Sequence, residues 1–148
     1  MDIISRSEYI RRIEHYLGKQ SIIVLTGQRR VGKSFVLKDF AQRKQQEGGN
    51  VIYVDKENKL FDTITNSVEL NEYIDAHRSQ DTTNYILIDE VQEIKNFEKS
   101  VRAYRVEPHC EIIITGSNAD LFSSDLANIL ILNKNVETIK HYSHIIIG

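Results

Sequence analysis

The sequence predicts an α/β fold, a mostly parallel sheet with helices on both faces. Short β-branched runs alternate along the chain with stretches of helical periodicity, and the runs are apolar at successive positions, as in strands buried on both sides. A length of 148 residues suits one core rather than two.

Ser5 followed by Glu8 is a capping-box pattern, and Tyr9, Ile13, Tyr16 and Leu17 recur at helical spacing up to Gly18, predicting a first helix over 6–17. Ser21 to Thr26 is a β-branched run ended by Gly27, the first strand. Lys33 to Gln46 carries Phe35, Val36, Leu37 and Phe40 and stops at Gly48-Gly49, a helix with its terminator. Val51 to Val54 is a second strand, and Ser67 opens a helix with Leu70, Tyr73, Ile74 and His77 on one face. Tyr85 to Ile88 is a third strand running into Asp89-Glu90. Asn96 is placed to cap a helix with Phe97, Val101 and Tyr104 before Pro108, and Ile112 to Thr115 is a fourth strand ended by Gly116. Ser123 or Ser124 then caps a short helix with Leu126, Ile129 and Leu130, after which the pattern dissolves.

Composition narrows the function classes. An apolar content of 41%, with no apolar stretch beyond four residues, excludes a membrane protein and shows no export signal. The net charge of −2 is unlike that of a dedicated nucleic-acid binder. Cys110 stands alone, and no Cys/His set has zinc-ligand spacing, so a disulfide-stapled secreted domain and a zinc ribbon are both excluded and a cytoplasmic location is expected. Residues 1–50 hold ten Lys/Arg against five Asp/Glu, whereas residues 51–148 hold nine against sixteen, so the N-terminal third attracts anions.

Gly27-Gln28-Arg29-Arg30-Val31-Gly32-Lys33-Ser34 matches G-x-x-x-x-G-K-[ST] between a predicted strand and a predicted helix. Glycines there let backbone N–H groups wrap phosphate oxygens while the helix points its positive end at them. Lys33 is placed to reach the β- and γ-phosphates and Ser34 to ligate Mg²⁺. Asp89 projects from the carboxyl end of a buried strand, where open α/β sheets bind ligands, and can hold the magnesium shell. Glu90 can accept a proton from, or orient, a water attacking the γ-phosphate. Thr115-Gly116-Ser117-Asn118 can reach that phosphate or water if the fourth strand lies between the first and third.

Together these elements resemble the AAA+ class of P-loop ATPases. The strings Thr26 to Ser34, Ile88-Asp89-Glu90-Val91-Gln92 and Ile114-Thr115-Gly116-Ser117-Asn118 resemble one AAA+-like family of prokaryotes. The resemblance covers about residues 3–130. It implies a three-layer P-loop fold with sheet order 5-1-4-3-2, a Walker A loop at 27–34, a Walker B strand at 85–90 and a sensor strand at 112–118 with Ser117 as sensor. It also implies ATP or ADP with Mg²⁺ as ligands, an adenine preference, and passage of the base near Arg6 and Tyr9. Where such chains continue through a glycine-arginine pair, this one reads Ile131-Leu132-Asn133-Lys134. A core over 1–130, an atypical tail over 131–148 and truncation after the sensor region are therefore expected, with strand 5 missing or atypical. Ile145 to Ile147 is the candidate for a makeshift edge strand, and His141 and His144, without a third ligand, read as a solvated segment.

The first reading is an ATP-binding core whose hydrolysis is weak or absent, since a missing arginine finger costs roughly 10³–10⁵ in rate in other P-loop enzymes. Arg29 and Arg30 add charge beside the phosphates and can face a partner subunit, which leaves room for a homo-oligomer or a protein partner. The second reading is a nucleotide-switched module that binds a protein or DNA through Arg11, Arg12, Lys19, Arg43 and Lys44. A small-molecule kinase is the third, disfavoured because Asp89-Glu90 suits water activation better.

Overall fold

The computed structural model describes residues 6–27, 32–116 and 142–146. Helix α1 (Arg6–His15) leads to strand β1 (Ile22–Thr26), helix α2 (Lys33–Gln46), strand β2 (Asn50–Asp55), helix α3 (Ser67–His77), strand β3 (Asn84–Asp89), helix α4 (Phe97–Arg105), strand β4 (Cys110–Gly116) and strand β5 (Tyr142–Ile146). Short 3-10 turns at Lys59–Phe61 and Val91–Glu93 follow β2 and β3. The sheet runs β2-β3-β4-β1-β5, which read from the other edge is the expected 5-1-4-3-2, and all four pairings are parallel. Among the described residues no helix is long and apolar enough to cross a membrane.

Alternation along the strands builds two cores. Ile22 and Val24, Ile52 and Val54, Ile86 and Ile88, and Ile112 and Ile114 face α3 and α4, meeting Leu70, Ile74, Val101 and Tyr104. Ile23 and Leu25, Leu87, Ile113 and Ile145 face the other way, onto Ile10 and Ile13 of α1 and Val36, Leu37 and Phe40 of α2. This two-sided burial is why the strands read as continuous apolar runs. Parallel register then gathers the strand ends at one edge: Thr26 lies beside Gly116, and Asp55 beside Asp89.

Several details differ from the sequence reading. Strand 5 is present, pairing Ile22↔Tyr142 through Thr26↔Ile146 along β1, so the tail supplies a parallel edge strand that starts three residues before the expected Ile145 to Ile147. Helix α1 ends at His15 and continues as hydrogen-bonded turns to Leu17. Helix α3 opens at Ser67 as read, and Asn66 before it supplies the cap: its side chain accepts from Glu69 N at 2.9 Å while Glu69 accepts from Thr65 N at 3.0 Å. Asn96 stands at the start of α4 with φ 60° and makes no side-chain cap bond. Ser5, Ser123 and Ser124 lie outside the described residues.

Two charged groups join the layers. Lys44 is buried between α1 and α2, its amine 3.4 Å from Glu14 and 3.1 Å from Glu47 and over the rings of Phe40 and Tyr85. Burial alone would lower its pKa, but the bond to Glu47 and the charges of Glu14 and Glu47 outweigh it and the net shift is upward. Glu111 on β4 accepts from Gly18 N at 2.8 Å, and burial raises its carboxyl pKa against the opposing pull of that amide.

Lys44→Met keeps the apolar stem and removes the charge, and is expected to cost about 1–2 kcal/mol in urea denaturation through the lost ring and carboxylate contacts. The folded Glu111 carboxyl holds its proton to a higher pH than the unfolded one. Its contribution is therefore fullest below the unfolded value of about 4.3 and declines as pH rises through the folded value. Thermal melts of Glu111→Gln beside wild type should show the variant gaining on wild type steadily from pH 4 to pH 7.

Candidate functional site

The carboxyl edge of the sheet places β4 between β1 and β3, so the ends of these three strands surround one small volume beneath the start of α2. Gly32, at φ 95°, a conformation that costs a side-chain-bearing residue about 1–2 kcal/mol, turns the chain into α2. Lys33 then enters the helix only 4% exposed. A buried ammonium must be compensated. Its Nζ donates to Gly27 O at 2.7 Å and Gly116 O at 3.0 Å and stands 3.6 Å from Glu90 Oε1. Each of the three strand ends thus contributes one partner.

One residue on, Ser34 Oγ donates to Asp89 Oδ2 at 2.6 Å, across 55 positions of sequence. Asp89 is 1% exposed, and its other oxygen, Oδ1, accepts from Thr115 Oγ1 at 2.6 Å. Tyr53 OH, from β2 on the far side, donates to Oδ2 at 3.4 Å. Burial, then the charges of Asp89 and Asp55, pushes the Tyr53 hydroxyl strongly upward, so it stays a donor at any ordinary pH. Glu90 sits at φ 59°, ψ 57°, left-handed backbone that few non-glycine residues adopt and that costs about 1–3 kcal/mol. Its N–H donates to Thr115 Oγ1 at 2.9 Å, and Gln92 Nε2 donates to its Oε2.

The structure therefore brings Lys33, Ser34, Asp89 and Glu90 together with Gly27 and Gly32. Gln28, Arg29, Arg30, Val31 and Ser117 lie outside the described residues, as do Asn118, His141 and the Ile131–Lys134 segment. Tyr53, Thr115 and Gln92 complete the cluster in ways the sequence did not disclose. Thr115 and Gln92 stood inside the quoted strings without these partners, and Tyr53 carries no local signal because its position depends on the β2–β3 register.

The oxygens of Ser34 and Asp89 suit Mg²⁺, a hard cation usually held by one or two carboxylates plus phosphate and water. No cluster of three or more His, Cys, Asp or Glu able to hold a metal occurs among the described residues.

The basic side chains proposed for DNA are largely engaged within the fold. Lys44 is a correction, since its buried ion pairs leave it no surface role. Arg11 and Arg12 pair with Glu8 at 2.5 and 3.8 Å, Arg43 with Asp39 at 3.2 Å, and Lys19 stands over the Tyr16 ring. Tyr9, expected near a base, packs in the α1–α2 core at 6% exposure.

Comparison with known proteins fits this geometry. A family model described as an AAA domain matches residues 19–140. An uncharacterized protein of Haemophilus influenzae is 33% identical over 132 residues, covering 86% of this chain and 33% of the relative. One from Methanocaldococcus jannaschii is 30% identical over 139 residues, covering 93% and 30%. The chain thus spans about a third of the length of the curated relatives it matches. Among solved structures, Caenorhabditis elegans PCH-2 aligns with TM-score 0.54 at 15% identity over 94% of this chain and 41% of its own. A DNA polymerase III gamma subunit-related protein of Thermotoga maritima aligns with TM-score 0.50 at 10% identity over 98% and 46%. At such identities the likeness is one of fold.

Proposed function

The chain belongs to the AAA domain family of P-loop ATPases, and from that premise we propose that it binds Mg-ATP and Mg-ADP on the 27–34 loop as the core of an ATPase whose hydrolysis is weak or absent. The observation that carries this reading is the meeting of Ser34 with Asp89 at 2.6 Å beside the buried amine of Lys33. Helix α2 directs its free N–H groups and the positive end of its dipole to the same place.

On this reading Lys33 exchanges its carbonyl partners for β- and γ-phosphate oxygens, keeping its charge compensated throughout. Ser34 and Asp89 hold Mg²⁺, which when bound neutralises charge on the β- and γ-phosphates. Glu90 orients or deprotonates the attacking water. Lys33 stands near its Oε1 and Gln92 donates to Oε2, so movement of Lys33 toward a phosphate takes its charge away from the carboxylate while Gln92 keeps that group aimed. Ser117, next in sequence after Gly116, is the proposed sensor. The weak or absent hydrolysis of this reading rests on Ile131-Leu132-Asn133-Lys134, which offers no arginine where resembling chains carry one.

Calorimetric titration with ADP and a non-hydrolysable ATP analogue, with and without Mg²⁺, tests the reading. Saturable binding is expected, with Lys33→Ala losing roughly 2–5 kcal/mol, about thirtyfold or more in affinity. Asp89→Asn should retain Mg²⁺-free binding and lose most of the gain that Mg²⁺ confers. A wild-type chain that melts cooperatively and binds neither nucleotide sinks the proposal.

A further inference from the structure

We propose that Thr115 is a positioning residue that sets both carboxylates of this site through a single buried hydroxyl, an inference that rests on the nucleotide reading above. The backbone pairing of β3 with β4 ends at Ile88↔Ile114. Asp89 and Glu90 lie beyond that ladder, and one step further along β4 the side chain of Thr115, 0% exposed, takes over where backbone bonds stop.

The hydroxyl is used in both senses. It donates to Asp89 Oδ1 at 2.6 Å and accepts from Glu90 N at 2.9 Å. Ser34 and Tyr53 both approach the opposite oxygen, Oδ2. Two donors on one oxygen leave the carboxylate free to pivot about it, and the bond at Oδ1 removes that freedom and keeps Oδ2 turned to Ser34. The same hydroxyl satisfies the N–H of Glu90 in its left-handed conformation, the turn that sends the Glu90 side chain back toward Lys33. The Thr115 hydroxyl thus directs its proton to Asp89 and accepts the N–H of Glu90. It acts through its neighbours, in the manner of the outer-shell groups whose loss usually costs about 10–100-fold in metal affinity.

Thr115→Val keeps shape and removes the hydroxyl, and Thr115→Ser restores it. ADP affinity is measured by calorimetry in MgCl₂ and in EDTA, and exchange of the Glu90 amide hydrogen is measured by NMR. In the valine variant Mg²⁺-free affinity should stay within about threefold of wild type while the Mg²⁺-dependent gain shrinks about tenfold or disappears. Protection of the Glu90 amide should fall as well, and serine should restore both. Should the valine variant fail to fold, Thr115→Ala is judged by the same two readouts. An unchanged Mg²⁺ gain in a folded hydroxyl-free variant overturns the inference, as does a serine variant as impaired as valine, or a wild-type Glu90 amide that exchanges freely. A wild-type chain with no Mg²⁺-dependent gain overturns the nucleotide reading itself, and this inference with it.

Discussion

A buried ammonium group organises this molecule. Lys33 is nearly withdrawn from water, and a charge so placed is tolerable only with several well-aimed partners. Its partners are the carbonyl that follows β1, the last carbonyl of β4 and the carboxylate after β3. That set exists only if the three strands are parallel, end at the same level and lie in the order β1, β4, β3. The chirality of the turn into α2, with Gly32 at φ 95°, follows from the same demand, since Lys33 must point back over the sheet edge from the first helical position.

Polar and apolar constraints converge on that order. Alternate residues of the four core strands fill two separate cores, one against α1 and α2 and one against α3 and α4, so a strand cannot slip by one residue without exchanging its faces. Hydroxyls then do for the strand ends what side-chain packing does for their middles. Thr115 and Tyr53 reach Asp89 from the strands on either side of β3, and Asn84 does comparable work at the opposite end, accepting from Ser79 N and from Asn50 Nδ2 at 2.7 Å each. The sheet is thus pinned at both edges by buried polar groups and filled between them by aliphatic ones.

Much of this was legible because the relevant signals are local. Ile22 to Thr26, Tyr85 to Asp89 and Ile112 to Gly116 are continuous apolar runs with abrupt polar or glycine ends, and α2 was bounded to the residue by the loop before it and Gly48-Gly49 after it. What escaped depends on neighbours distant in sequence. Tyr142-Ser143-His144 has no strand pattern of its own and pairs because β1 would otherwise present an open edge. The roles of Tyr53 and Thr115 appear only once β2 and β4 are known to flank β3. Glu90 adopts left-handed backbone at a position where propensity alone foretells none, and the cost is offset by its bonds with Thr115 and Gln92.

Charge gives the clearest contrast between sequence and space. The surplus of basic residues in positions 1–50 suggests a broad anion-attracting surface, yet four of those bases are held by acidic residues of the same segment: Arg11 and Arg12 by Glu8, Arg43 by Asp39, and Lys44 by Glu14 and Glu47. Within that segment the densest run of basic residues in the sequence is Arg29, Arg30 and Lys33, three within five positions. At physiological ionic strength a field from so compact a source falls off over about 8 Å. A polyphosphate is short enough to lie within that reach, whereas an extended nucleic-acid backbone needs many cations spread along its track. The pairing of the outlying arginines therefore does more than stabilise helices: it weakens the broad anion-attracting surface that the sequence alone suggests.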